Sequence, residues 1–167
     1  MEFYHRVPDA MVGTTLYPLE TLLSVHEEVG QRQMAKYEGR ERLARTYIPC
    51  LSCKWTEVVQ MVAVPLTVIH ERLRLSQAGG RRYFRISSDS LDRDRLAVYY
   101  RNDPETEAEV FDPFDESLPI DRPSPGFQEW FREAAAEGRP PRLYVGLPHI
   151  LYRGEIDVSA CPIAELE

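Results

Sequence analysis

The chemistry available to this chain sits in four histidines, three cysteines and an uneven distribution of charge. Near the C-terminus, "HILYRGEIDVS" (149–159) alternates, with Ile150, Tyr152, Ile156 and Val158 on one side and His149, Arg153, Glu155 and Asp157 on the other. A strand through it sets four ionisable groups in one row, which is either a wetted strand face or one wall of an active site. His5 lies in a second alternating stretch, "EFYHRV", beside Tyr4 and Arg6. An imidazole near neutral pH can donate or accept, which suits contact with a ribose hydroxyl. In "KYEGRE" (36–41), Arg40 follows Gly39 and can reach a phosphate; the plainer reading is an exposed helix joint with ion pairs four residues apart. His26 and His70 fall on apolar helical stripes with no H-x-x-x-H or H-E-x-x-H pattern, which favours core packing.

Several reaction classes are excluded by what those groups lack. Cys50 and Cys53 form a C-x-x-C, but a four-ligand zinc site needs partners, and Cys161 has no histidine at ligand spacing. Pro49 before Cys50 suits a loop or strand rather than the helix N-terminus of a redox site. The cysteines are expected to be buried thiols, with no metal. There is no G-x-S-x-G for a serine hydrolase, no P-loop and no G-x-G-x-x-G.

Formal net charge is −7, and it is segregated. Between Arg72 and Arg101 stand eight arginines against three aspartates, and from Asp103 to Asp121 come eight carboxylates with no base. Mutual neutralisation across a solvated surface accounts for this; the sharper alternative is an arginine grip on phosphate. Eighteen arginines against Lys36 and Lys54 reflect a bias of the whole chain, as in a GC-rich bacterial genome, so arginine is the default base throughout. No run approaches the ~18 apolar residues of a membrane span, and "MEFYHRVPDA" lacks a signal-peptide pattern. The expectation is a cytoplasmic protein with no membrane partner.

The elements that must position these groups follow from punctuation and periodicity. "EFYHRV" reads as a strand stopped by Pro8. Pro18 opens a helix through Leu19, Leu22, Leu23, His26 and Val29, which Gly30 ends or bends. "TYIPCLSC" is extended, and Trp55–Val62, whose apolar residues also fit helical spacing, reads as a helix or tight turn passing into strand. Pro65 starts a helix ended by Gly79-Gly80. Strands follow at 82–87 and 96–101. An acidic, proline-containing loop occupies about 102–124, with a brief strand at Val110–Phe111. Ser124 and Pro125 cap a helix through Phe127 and Phe131, stopped at Gly138. "RLYVGL" and "HILYRGEIDVS" read as two final strands. The sum is one α+β domain over 1–167, helices mostly in the first half, packed on a mainly antiparallel sheet.

"YHRVPDAMVGTTLYPLETL", "KYEGRERL", "IPCLSCKW" with "EVV", and "PHILYRGEIDVS" together resemble a family of uncharacterised bacterial proteins that share a His-containing start, L-Y-P-L, K-Y-x-G-R-E and P-H-x-L-Y-x-G. A fainter resemblance is to DarT-type ADP-ribosyltransferases. It implies an ADP-ribosyltransferase-like fold and an enzyme using NAD as co-substrate on nucleic acid or protein. It places His5 against the ribose, Arg40 on the phosphates and Tyr17 on the nicotinamide or over the pocket. Glu155 then stabilises an oxocarbenium-like state, or His149, which stands nearer the position where the resemblance sets that carboxylate, occupies the reaction centre instead. The alternative is a non-catalytic nucleotide- or partner-binding regulatory domain.

Overall fold

Prolines and glycines divide the chain much as their chemistry requires. The computed structural model describes residues 1–106 and 108–167. Strand β1 (Glu2–Arg6) ends before Pro8, and a short β2 (Thr15–Leu16) precedes helices α1 (Leu19–Val25), α2 (Glu27–Met34) and α3 (Glu41–Ala44). A small ribbon of β3 (Tyr47–Ile48) and β4 (Cys53–Lys54) leads into β5 (Val58–Val62), then α4 (Leu66–Leu75). Strands β6 (Arg81–Ser87), β7 (Leu96–Arg101) and β8 (Glu109–Pro113), helix α5 (Phe127–Ala136), and strands β9 (His149–Arg153), β10 (Ile156–Asp157) and β11 (Ile163–Leu166) complete the chain.

Seven strands form one antiparallel sheet in the order β11-β6-β1-β5-β9-β7-β8, so the architecture is α+β. Alternation divides its side chains between two covered faces. Phe3, Met61, Ile86, Val98 and Ile150 face a core closed by Leu16, Phe114, Ile120, Ile156 and Val158. On the other face, Val62, Tyr83 and Leu147 meet Ile69 and Leu73 of α4, and Trp55, Val58, Ala97 and Leu151 form a third cluster with Ile48 and Cys53. The brief strand expected within the acidic segment is β8, the edge of the sheet; residue 107 of that segment lies outside the described residues.

Four local expectations are corrected by tertiary contacts. The first helix breaks at His26 (φ −138°, ψ 75°) and not at Gly30. Gly30 instead sits buried inside α2, where a Cβ would lie 2.7 Å from Leu23 Cα, so it permits the close crossing of α1 and α2. The residue flanking α5 is Gly126, φ 78°, with Ser124 buried and donating its N–H to Gly146 O. "RLYVGL" is a series of turns, not a strand. "HILYRGEIDVS" divides at Gly154 into β9 and β10, which belong to different sheets, and so the row of four ionisable groups does not exist.

A buried cation explains the turns at 142–147. Arg72 of α4 has no exposed surface, and its Nη1 donates to Leu143 O at 3.0 Å and Val145 O at 2.6 Å. Its guanidinium also lies 4.4 Å from the Phe131 ring centroid and within 3.4 Å of Gln128 Oε1. Gln128 donates onward to Glu71, which accepts from Arg132. Burial drops the Arg72 pKa to about 10, still charged at neutral pH. Carbonyls of a buried irregular segment need donors, and one planar guanidinium supplies two of them. Replacing Arg72 by Met leaves both oxygens unpaired and should cost about 2–4 kcal/mol in urea unfolding. The exposed neighbour Arg74→Met should stay within about 0.5 kcal/mol.

Candidate functional site

The centre of the sheet contains an interrupted seam. β1 pairs with β6 through five residue pairs and β5 pairs with β9 through five, but β1 meets β5 at a single pair, Tyr4 with Val62. Where the ladder would continue, the imidazole of His5 takes over. Its Nδ1 lies 2.8 Å from Gln60 O. A carbonyl can only accept, so Nδ1 carries the proton and the neutral ring presents Nε2 as an acceptor.

A cavity of about 590 Å³ opens at this seam. Its lining draws on both faces of the sheet, with Met11, Leu16 and Met61 from one and Tyr4, Gln60 and His149 from the other, which a closed ladder would keep apart. The apolar sides of α1 and α2 form a further wall through Leu19, Leu22 and Val29. Neither helix buries a side chain fully in the protein core. Of the expected site residues, His5, Tyr17, Arg40 and His149 all line this one cavity. Glu155 does not. Gly154, at φ 132° with Arg95 packed where a Cβ would stand, turns the chain between β9 and β10 and leaves Glu155 exposed.

His149 repeats the arrangement of His5. Its Nδ1 donates to Leu147 O at 2.8 Å, and its ring is surrounded by Trp55, Tyr99 and Tyr144 at centroid distances of 6.2, 5.6 and 6.5 Å. Burial pulls its pKa down to about 4, and burial also lowers that of His5. Both imidazoles are therefore neutral acceptors at pH 7. Tyr37 ties the same region together, accepting from Trp55 Nε1 at 2.9 Å. Tyr17 sits edge-on to His26, 6.0 Å between centroids.

Charge in the cavity runs opposite to charge in the chain. Arg6, Lys36, Arg40, Arg101 and Arg142 line it against one carboxylate among the described residues, Asp9, which is already held by Arg6 in a bidentate pair at 2.7 and 2.9 Å. Arg40 donates to Lys36 O and lies 5.4 Å from the Tyr37 ring centroid, but its Nε is buried without a partner. Burial and then the nearby Arg142 lower the Arg40 pKa; burial and then Arg6 lower that of Lys36. Arg40 and Arg142 thus lie near each other with no carboxylate partner among the described residues, while Asp9 lies close enough to Lys36 to favour its charged form.

The C-x-x-C lies elsewhere. Cys53 is buried as expected, but Cys50 is exposed and Cys161 half-buried, and the backbone between Cys50 and Cys53 turns at Ser52, φ 50°. Burial raises both thiol pKa values, so both stay protonated at neutral pH and are poor nucleophiles. Trp55, Tyr99 and Tyr144 were not apparent as site residues because they are far apart in sequence and carry no motif. Arg142 and Tyr144 were hidden further by the reading of their segment as a strand. Comparisons with protein-family models, curated proteins and solved structures each find no match.

The neutral histidines give a pH dependence with a definite sign. The folded His149 pKa lies below the unfolded value of about 6.5, so between pH 6.5 and about 4 the unfolded chain binds a proton that the native chain refuses. The native state is thus favoured fully above that window and loses up to about 3 kcal/mol as pH falls through it. His5 acts in the same direction. Melting temperatures at pH 7 and 4.5 should converge in His149→Gln relative to the parent chain, and an unchanged gap would contradict the assignment.

Proposed function

We propose that the seam cavity binds NAD and that the chain is an ADP-ribosyltransferase-like protein. The observation that carries this reading is the pairing, in one cavity, of a cationic rim with neutral imidazole acceptors, at a point where the sheet opens beside His5. A dinucleotide offers matching chemistry: phosphates for Lys36 and Arg40, ribose hydroxyls for the free Nε2 of His5, and a cationic pyridinium ring. Aromatic faces attract such a ring, and Tyr17, Trp55, Tyr99 and Tyr144 all line the cavity. In NAD the bond from that ring to ribose is the one whose cleavage transfers ADP-ribose. The protein's part is to bind, to orient the ribose through neutral acceptors and to exclude water from the bond.

A second reading, nucleotide binding without turnover, is favoured by one observation. Glu155 is outside the cavity, and Asp9 is occupied by Arg6. A carboxylate that could stabilise a developing positive charge is therefore not among the described lining residues.

Trp55 lines the cavity and can report on it. NAD should change its fluorescence, and Arg40→Gln should weaken NAD binding at least tenfold, the loss of a charge-assisted contact worth about 1.5–3 kcal/mol. Nicotinamide itself should bind without sensitivity to Arg40→Gln. NAD binding that releases no nicotinamide with any acceptor selects the second reading; absence of any response to NAD, ADP-ribose or AMP rejects both.

A further inference from the structure

Gln60 is tied into the seam at three points. Its backbone oxygen accepts from His5 Nδ1 at 2.8 Å, and its side-chain Nε2 donates to Tyr37 Oη at 3.4 Å and to Trp55 O at 3.5 Å. The two side-chain contacts are long, but they fix which way the amide faces. Trp55 O can only accept, so turning the amide over would set two acceptors against each other. Oε1 is therefore the end left over, and no donor among the described residues reaches it.

The Tyr37 hydroxyl carries the opposite surplus. Its oxygen accepts from Trp55 Nε1 at 2.9 Å as well as from Gln60, which uses both lone pairs. Its own hydrogen has no acceptor among the described residues. Gln60 and Tyr37 both line the cavity, and both are half-buried. One linked pair of side chains thus holds an acceptor and a donor that the protein does not itself use.

The surroundings suit a flat ring with a phosphate beyond it. Gln60 pairs with Leu151 and Val62 with His149, so Gln60 and His149 are diagonal neighbours on one sheet face. The His149 ring lies 6.2 Å from that of Trp55 and 5.6 Å from that of Tyr99. Arg40 lies 5.4 Å from the Tyr37 ring centroid, which brings a cation to the residue that bears the free hydroxyl hydrogen.

We infer that Gln60 is a specificity-determining residue of the cavity and that, together with Tyr37, it reads the amino group of a flat ring with a neighbouring acceptor. This rests on the NAD reading above and says how that ligand is told from its near relatives. NAD has two such edges, the carboxamide of nicotinamide and the amino-bearing edge of adenine. Each offers an N–H to Oε1 and an acceptor to the Tyr37 hydroxyl. Replacing either amino group by oxygen turns the donor into an acceptor that faces Oε1. A site with a committed acceptor rejects such an analogue, because both groups lose water and gain no bond. At the pyridine end the cations alone predict the reverse. Nicotinic acid carries an added negative charge, which Lys36 and Arg40 attract.

The test is calorimetric titration of the full chain with NAD, nicotinic acid adenine dinucleotide and nicotinamide hypoxanthine dinucleotide. One of the two analogues should bind at least about tenfold more weakly than NAD, and which one it is identifies the edge that Gln60 reads. Gln60→Met, which keeps the side-chain length and removes the acceptor, should bring that analogue to within about twofold of NAD and leave the ranking of the other unchanged. Both analogues binding as well as NAD overturns the inference and leaves NAD binding intact. Discrimination that survives in folded Gln60→Met does the same, as does equal rejection of both analogues, since one amide reads one edge. The ranking in the parent chain decides the matter even where the variant does not fold. No NAD binding at all overturns both readings together.

Discussion

The single residue pair between β1 and β5 is the constraint on which the site depends. A continuous ladder there would satisfy every backbone group and seal the sheet. Stopping it after Tyr4 and Val62 frees Gln60 O, and a buried carbonyl without a donor is costly. His5 resolves this with its own ring, which fixes the tautomer and points the second nitrogen away from the bond. The residue that compensates for the gap is therefore also the residue that equips it. An apolar residue at position 5 would leave the carbonyl orphaned, and a longer ladder would leave no cavity.

An open seam needs walls that do not collapse into it. On one side, Arg72 holds the carbonyls of 143 and 145 from beneath, and Gly146 allows Phe127 so close that a Cβ would overlap its ring at 2.0 Å. Tyr144 is held from its other end by the hydroxyl of Tyr83, 2.8 Å away. On the other side, α1 contributes half-buried Leu19 and Leu22 and α2 contributes Val29, which face the cavity instead of the core. The wall held by Arg72 carries Tyr144, and the helical wall carries aliphatic groups with Lys36, Tyr37 and Arg40 directly after α2. A ligand with a polar, charged part and flat apolar rings suits that division.

Much of this was legible because local rules and tertiary demands agree along most of the chain. Pro18, Pro65 and Gly138 bound helices where their chemistry predicts, and β-branched density marks β5. His5, Tyr17, Arg40 and His149 were identified from residue type and resemblance, and they converge on one cavity although they span the whole chain. What failed was alternation carried through a glycine. The pattern of "HILYRGEIDVS" continues past Gly154, but the backbone reaches φ 132° there, which alternation does not register. "RLYVGL" was misread for a related reason: its apolar residues fit a strand, while the buried guanidinium that bends it lies 71 residues earlier. No pattern within the segment encodes that contact.

The electrostatics of the cavity narrow its chemistry further than its shape does. Two imidazoles held neutral by burial cannot act as proton donors at pH 7, and a His149 pKa near 4 makes that residue a weak base as well. Their use is as directional acceptors. Lys36 donates to Gln33 Oε1, Arg40 and Arg101 donate to backbone oxygens and lie by aromatic rings, and the one lining carboxylate among the described residues is bound to Arg6. Acid–base catalysis by a side chain is thus the mode this site is least suited to. The proposed NAD reading asks only for binding of anionic groups and alignment of a bond that breaks without proton transfer. Cleavage at a cationic pyridinium, whose leaving group departs neutral, belongs to that class; hydrolysis of an ester or amide, which needs a base and an acid, does not.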